Sequence, residues 1–417
     1  MTPSCFVIVG YNNVRLYDVD KLRRMARQLH DSQLVLVVES ATPQDWQAAD
    51  HVIQARLGKP NSSLPKVADE LARLGLTPVG ILPFSDKGVP LGAQLAAHYA
   101  LPGAAPEAAW AGLDKPRFRQ LEASTTPPTG YQPLACRQVA TLSAFQAAVI
   151  EFGGRAFVKP TGEGNSRGCQ QVPSLDACPG VWGALSPYHD SGLMVEPLIE
   201  AAREFSWDYV AGHSWLTEKF TTHGDFRAEY QQIVPACLTE SESAALHQGG
   251  RFMQALVSPT NGAYHNELFL HAQGVSAVET NMRPAGMHIW DLARLSFDRF
   301  DPWATWLAWA REGIHNETPL SLRGYSGIRM LRARHSGELR TLPDMDALAA
   351  EQGIQLYEGH YSKECGAQVS ERVTDNAGFI GHIVLHARDY HTLRQQLDNL
   401  ADAIERRIDI TQPVSTP

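Results

Sequence analysis

The sequence predicts a multidomain protein of mixed α/β and α+β class, opening with a parallel α/β domain and closing with an α+β lobe. Three observations lead there. Short apolar runs alternate with helical patterns between Phe6 and Leu82, which is the signature of a parallel sheet with crossover helices. A proline-punctuated stretch then interrupts the pattern, and strand-like segments dominate the chain beyond it. The composition supports packed cores: of 417 residues 44% are apolar and 19% charged, with a net charge of −9. No long basic run argues for nucleic acid or anionic lipid as a partner. No apolar stretch approaches the roughly 20 residues of a membrane span.

The first strands are read at Phe6–Gly10, Leu34–Val38 and Val79–Leu82, with helices over Val19–Leu29 and Leu64–Leu74. The turn after the first strand reads Gly10-Tyr11-Asn12-Asn13, so a dinucleotide fingerprint is absent. The start of the chain lacks the charged and apolar regions of a signal peptide, which predicts a cytoplasmic protein. Six scattered cysteines without a CxxC pair predict neither a disulfide framework nor a zinc site. Helix Leu91–Tyr99 leads into the junction, where Pro102, Pro106, Pro116, Pro127 and Pro128 lie. We expect an N-terminal domain over 1–110, a central region over 111–320 with a smaller subdomain at about 130–198, and a C-terminal lobe over 321–417. Trp303, Trp306 and Trp309 recur every three residues and predict a buried helix face.

Three segments carry chemistry. In His265–Gly286 (HNELFLHAQGVSAVETNMRPAG), two strand-like runs flank a turn at His271–Gly274. A symmetric hairpin centred on Gln273 places Glu267 opposite Glu279, with side chains about 4.5–5.5 Å apart. Strand periodicity puts Glu279, Asn281 and Arg283 on one face. Such oxygen donors suit Mg²⁺. A solvated acidic hairpin with Arg283 as counter-ion accounts for the same residues, and a slip of one position would separate the acids.

The second segment is Val158-Lys159-Pro160 followed by the loop Thr161–Gly168 (TGEGNSRG). A lysine leaving a strand beside a glycine-rich loop can hold phosphate oxygens. It is not a Walker loop, and a plain surface loop fits as well. Only eight lysines occur in the chain (Lys21, Lys59, Lys66, Lys87, Lys115, Lys159, Lys219 and Lys363), so in an arginine-preferring sequence a retained ammonium draws some attention. The third segment is Leu193–Val210. Its strand ending at Glu196 could offer backbone groups to an adenine, and Glu204 could accept from ribose hydroxyls. Two core strands with exposed acids would explain it equally.

Taken in order, Leu113-Asp114-Lys115, Lys159 with its loop, Glu196-Pro197-Leu198-Ile199, Glu204, Glu267 and Glu279-Thr280-Asn281-Met282-Arg283-Pro284 resemble the ATP-grasp superfamily of carboxylate–amine ligases, over about residues 75–310. The resemblance implies ATP and Mg²⁺ (or Mn²⁺) as cofactors. It implies Lys115 and Lys159 at the phosphates, Ser166 in the closing loop, Glu196 and Leu198 at adenine, and Glu204 at ribose. Glu267, Glu279 and Asn281 would hold the metal. Arg283 would act in catalysis, with Gly286 and His288 beside the substrates. Two departures stand out: Ala201-Ala202-Arg203 replaces the usual glycine before the ribose glutamate, and the loop is unusually polar. The implied function is amide formation between a small-molecule carboxylate and an amine, as in L-amino-acid ligases, with a homodimer as the expected assembly. A biotin-dependent carboxylase subunit and a non-catalytic ATP-binding protein are the alternatives.

Overall fold

In the computed structural model, residues 2–12, 15–164, 167–200, 202–222 and 227–411 are described. Four parallel strands open the chain: β1 (Ser4–Val9), β2 (Gln33–Val38), β3 (His51–Gln54) and β4 (Thr77–Pro83), in the order β3-β2-β1-β4. Three of them follow the apolar runs. The short β3 has only two buried residues, Val52 and Ile53, and its sequence gives little strand signal. Helices Leu16–His30 and Pro60–Arg73 cross between these strands.

A second, four-stranded antiparallel sheet holds β5 (Arg137–Val139), β6 (Ala156–Pro160), β7 (Gln170–Val172) and β8 (Leu193–Pro197), in the order β5-β8-β6-β7. The remaining strands are β9 (Arg203–Val210), β10 (His213–Thr221), β11 (Glu229–Val234), β12 (Ala263–His271), β13 (Gly274–Asn281), β14 (Tyr325–Leu331), β15 (Gly337–Thr341), β16 (Leu356–Tyr361), β17 (Gln368–Val369), β18 (Gly381–Ala387) and β19 (Asp409–Thr411). Eight of them form one sheet, β13-β12-β9-β10-β11-β14-β18-β16, and β17-β15-β19 form a small one. The ladder is continuous from the acidic hairpin into the C-terminal segment.

The principal core joins the parallel sheet to the helices Ile289–Ser296 and Pro302–Glu312. Asp301 caps the second helix by accepting from the backbone N–H of Trp303 and Ala304, and Pro302 presets its first turn. Gly313, at φ +69°, ends it. With those ends fixed, Trp303, Trp306 and Trp309 share a buried face, and Trp290 packs against the first two. This face seats the segment after Arg283 against the first domain. The last helix, Tyr390–Arg407, covers the C-terminal strands. Among the described residues, no helix is long and apolar enough to cross a membrane.

Candidate active site

The site is built on the β12–β13 hairpin. Its tight turn is possible because Gly274 adopts φ +130° and a Cβ there would lie 2.0 Å from the Gly130 carbonyl. Glu267 pairs directly with Glu279, as expected, but for a different reason. The turn pairs His271 with Gly274, which without interruption would set Glu267 opposite Val278. A bulge between Glu267 and Leu268 on the ladder shifts the register by one and restores the two acids to opposite positions. The extra residue, Val278, turns its carbonyl to Lys159 Nζ (3.1 Å) and to an Arg119 amino group (3.0 Å).

Around the hairpin lies a dense charge network. Lys115, the first residue of helix Lys115–Ser124, reaches Glu279 at 3.0 Å and donates to the Glu163 carbonyl at 2.6 Å. Lys159 meets Glu196 at 2.7 Å, and Arg119 takes the other Glu196 oxygen at 2.6 Å. Burial alone would raise the Glu196 pKa; Arg119 and Lys159 overcome that and hold it below the usual range. Lys219 is fully buried between three acids: Glu267 at 2.7 Å, Glu204 at 3.6 Å, and Glu229. Burial, reinforced by Glu267 and Glu229 and only partly offset by Lys219, pushes Glu204 up to about 7. His265 bridges Asp208 (2.7 Å) and Glu267 (3.0 Å). Burial would lower its pKa, but those carboxylates lift it to about 9. The face of β9 carrying Ser206 and Asp208 is buried rather than solvated, and Ser206 and Thr217 donate to Asp208.

Glu279, Asn281 and Arg283 share a face: the Asn281 amide donates to Glu279 at 3.2 Å, and Arg283 donates to the Asn281 oxygen at 3.3 Å. Arg283 also grips Asp86 with two bonds, 3.0 and 2.9 Å, tying the hairpin to the short helical turn after β4. Lys115, Lys159, Glu196, Leu198, Glu204, Glu267, Glu279, Arg283, Gly286 and His288 all line one cavity of about 1470 Å³. Asn281 is buried just behind that wall. Ser166 lies outside the described residues. The sequence reading missed Arg119, Glu229 and Asp86. Arg119 stands one helical turn after Lys115, a spacing that could have flagged it. Nothing near Asp86 signals its role, because its partner is almost two hundred residues away.

The donor set at Glu267, Glu279 and Asn281 consists of carboxylate and amide oxygens on one face, which fits a hard divalent cation.

No family model matches the sequence, and no curated protein matches it. The fold does match solved structures along almost its whole length. The chain has the ATP-grasp fold. It is similar to L-amino acid ligase from Bacillus licheniformis, with a TM-score of 0.79 at 16% identity, covering 99% of each chain. It is also similar to carboxyaminoimidazole ribonucleotide synthase from Aspergillus clavatus complexed with ATP (TM-score 0.71, 16% identity, 97% of this chain and 99% of that one). A third is biotin carboxylase from Campylobacter jejuni (0.64, 15%, 98% and 92%).

Proposed function

We propose that this protein is an ATP-dependent ligase that joins the carboxylate of one small molecule to the amine of another, with amino acids as the substrate class, and releases ADP and phosphate. The observation that carries the reading is the Glu267–Glu279 pair, register-matched by a bulge, sharing a cavity with Lys115, Lys159 and Arg283. The full-length likeness to an L-amino acid ligase supports the same choice.

In the chemistry proposed, a carboxylate oxygen attacks the γ-phosphorus of ATP and ADP leaves. The amine nitrogen then attacks the acyl carbon of the acyl phosphate, inorganic phosphate departs, and the nitrogen loses a proton. Catalysis is mainly positioning and charge neutralisation. Lys115 and Lys159 would bind phosphate oxygens, Lys159 being held in place by Glu196. With both Glu196 oxygens on Arg119 and Lys159, this side chain would act on the nucleotide through its lysine. The backbone at Leu198 is left to meet the base. Glu204 would accept from ribose hydroxyls. Glu267, Glu279 and Asn281 would hold Mg²⁺, or Mn²⁺ in its place, which when bound neutralises the phosphate charge. Arg283, fixed by Asp86, would hold the reacting carboxyl group and the oxyanion that forms on it, with backbone N–H groups near Gly286 and the His288 ring alongside.

The test is purified protein with MgATP and a panel of amino-acid pairs. ADP and phosphate should appear only with a productive pair, together with an amide product. Release of AMP and pyrophosphate, or ATP hydrolysis that responds to bicarbonate and biotin instead, would overturn the proposal.

A further inference from the structure

The far wall of the same cavity carries a second cluster, of which the proposed ligase chemistry draws on His288 alone. Glu358 and His360 lie two residues apart on β16, and His360 pairs with His382 on β18, so all three project from one face of the sheet. His288 meets them from the turn before helix Ile289–Ser296. Its Nδ1 stands 3.7 Å from one Glu358 oxygen, and His382 Nε2 stands 3.4 Å from the other. The ligand atoms of His288, Glu358 and His382 all lie within 4.8 Å of one another. His288 and Met287 before it both adopt positive φ, +57° and +47°, a costly conformation for side-chain-bearing residues. That backbone aims the imidazole at the cluster.

We propose that His288 Nδ1, His382 Nε2 and Glu358 form a binding site for a Zn²⁺-class transition metal ion, with a coordination position open to the cavity. Four features of the structure support it. Tetrahedral coordination at the usual metal–nitrogen and metal–oxygen lengths puts neighbouring ligand atoms about 3.4 Å apart, close to the 3.7 and 3.4 Å from His288 and His382 to the Glu358 oxygens. Two imidazoles and one carboxylate are the borderline donors that such ions prefer, in contrast to the all-oxygen set on the hairpin. The other ring nitrogen of His288 is bonded to the Tyr17 hydroxyl at 3.0 Å, and the ring stacks on Tyr17, which fixes its orientation as the outer partners of metal-bound histidines do. Among the described residues, no lysine or arginine pairs with Glu358, whereas the three-acid group of Glu204, Glu229 and Glu267 already surrounds the Lys219 ammonium. The open position faces the space where the proposed substrates would sit, so the ion would take an amine or carboxylate of a substrate as its fourth ligand.

The test reads metal binding directly and does not depend on ligase activity. Metal-free full-length protein is titrated with Zn²⁺ against a chromophoric chelator, and with Co²⁺ followed by visible absorption. One equivalent should bind. Glu358→Gln and His382→Ala should each weaken binding roughly tenfold or more, and Tyr17→Phe by roughly tenfold. Melting curves of the metal-free variants confirm that each is folded; Glu358 has a side chain 42% exposed, so its substitution is well tolerated. The proposal is overturned by absence of stoichiometric Zn²⁺ binding, by equal affinity in Glu358→Gln, or by a thiolate charge-transfer band that assigns the ion to cysteine.

Discussion

Replacing Lys219 by methionine tests the electrostatic account of the site most severely. The apolar stem is largely kept and the charge is removed, so Glu204, Glu229 and Glu267 are left facing one another. The side chain is fully buried, with Glu267 at 2.7 Å and Glu204 at 3.6 Å. At about 4 Å and an effective dielectric of about 20, two unit charges interact by about 4 kcal/mol. Removing one partner of a buried pair typically costs about 3–5 kcal/mol. Protonation of the freed acids relieves part of this, and Glu204, already near 7, takes up a proton first. The variant should therefore lose about 3–5 kcal/mol of stability at pH 8 without divalent ions, and distinctly less at pH 6. Millimolar Mg²⁺ should recover part of the loss, because the cluster then lacks a cation. Urea unfolding followed by tryptophan fluorescence, at both pH values with and without Mg²⁺, measures each term. A variant that unfolds at the wild-type midpoint at pH 8, or that Mg²⁺ does not stabilise, refutes the reasoning.

Three further outcomes are expected. Arg283→Ala should leave nucleotide affinity nearly unchanged and abolish product formation; turnover at the wild-type rate in a coupled ADP assay would remove Arg283 from its role. Glu279→Ala should weaken Mg²⁺-dependent ATP binding by calorimetry roughly a hundredfold, in line with loss of a buried charged ligand worth about 3 kcal/mol, and equal affinity with and without Mg²⁺ in the wild type would contradict it. His265, lifted from 6.5 to about 9 in the fold, binds its proton more tightly than in the unfolded chain. Its contribution is complete below pH 6.5 and disappears as pH rises through 9, a span of about 3 kcal/mol. His265→Gln should flatten that alkaline decline, and an unaltered slope would exclude His265 as its source.

Much of the fold could be read from local pattern. Apolar runs located β1, β2 and β4, and the tryptophan spacing identified the helix that seats them. What escaped was non-local. The strand β3 is too short and too polar at its ends to announce itself. β10 and β11 carry Lys219 and Glu229, charged residues that look like surface until the strands are paired. The hairpin shows the limit most clearly. Simple symmetry gave the correct pairing of Glu267 with Glu279, yet the turn actually formed is one residue tighter, and only a bulge reconciles the two. Hairpin symmetry alone could not show that Val278 would be extruded to bind Lys159 and Arg119, since both partners are more than a hundred residues away. Arg283 was legible as a cation on the right face; its clamp by Asp86 was not.

The eight-stranded ladder has a geometric consequence for the cavity. At the usual rotation of about 20–25° between neighbouring strands, the seven steps from β13 to β16 amount to roughly 140–175°, enough to turn one end of such a ladder toward the other and make a trough. Glu279, at one rim, and His382, next to the other, do border the same space although six strand spacings separate them, as such a curl requires. The width of the trough is then a collective property of its backbone coil. A change in pleat or twist at β10 or β11, midway along, would open or narrow the gap between the Glu279-bearing and histidine-bearing rims without touching a residue on either.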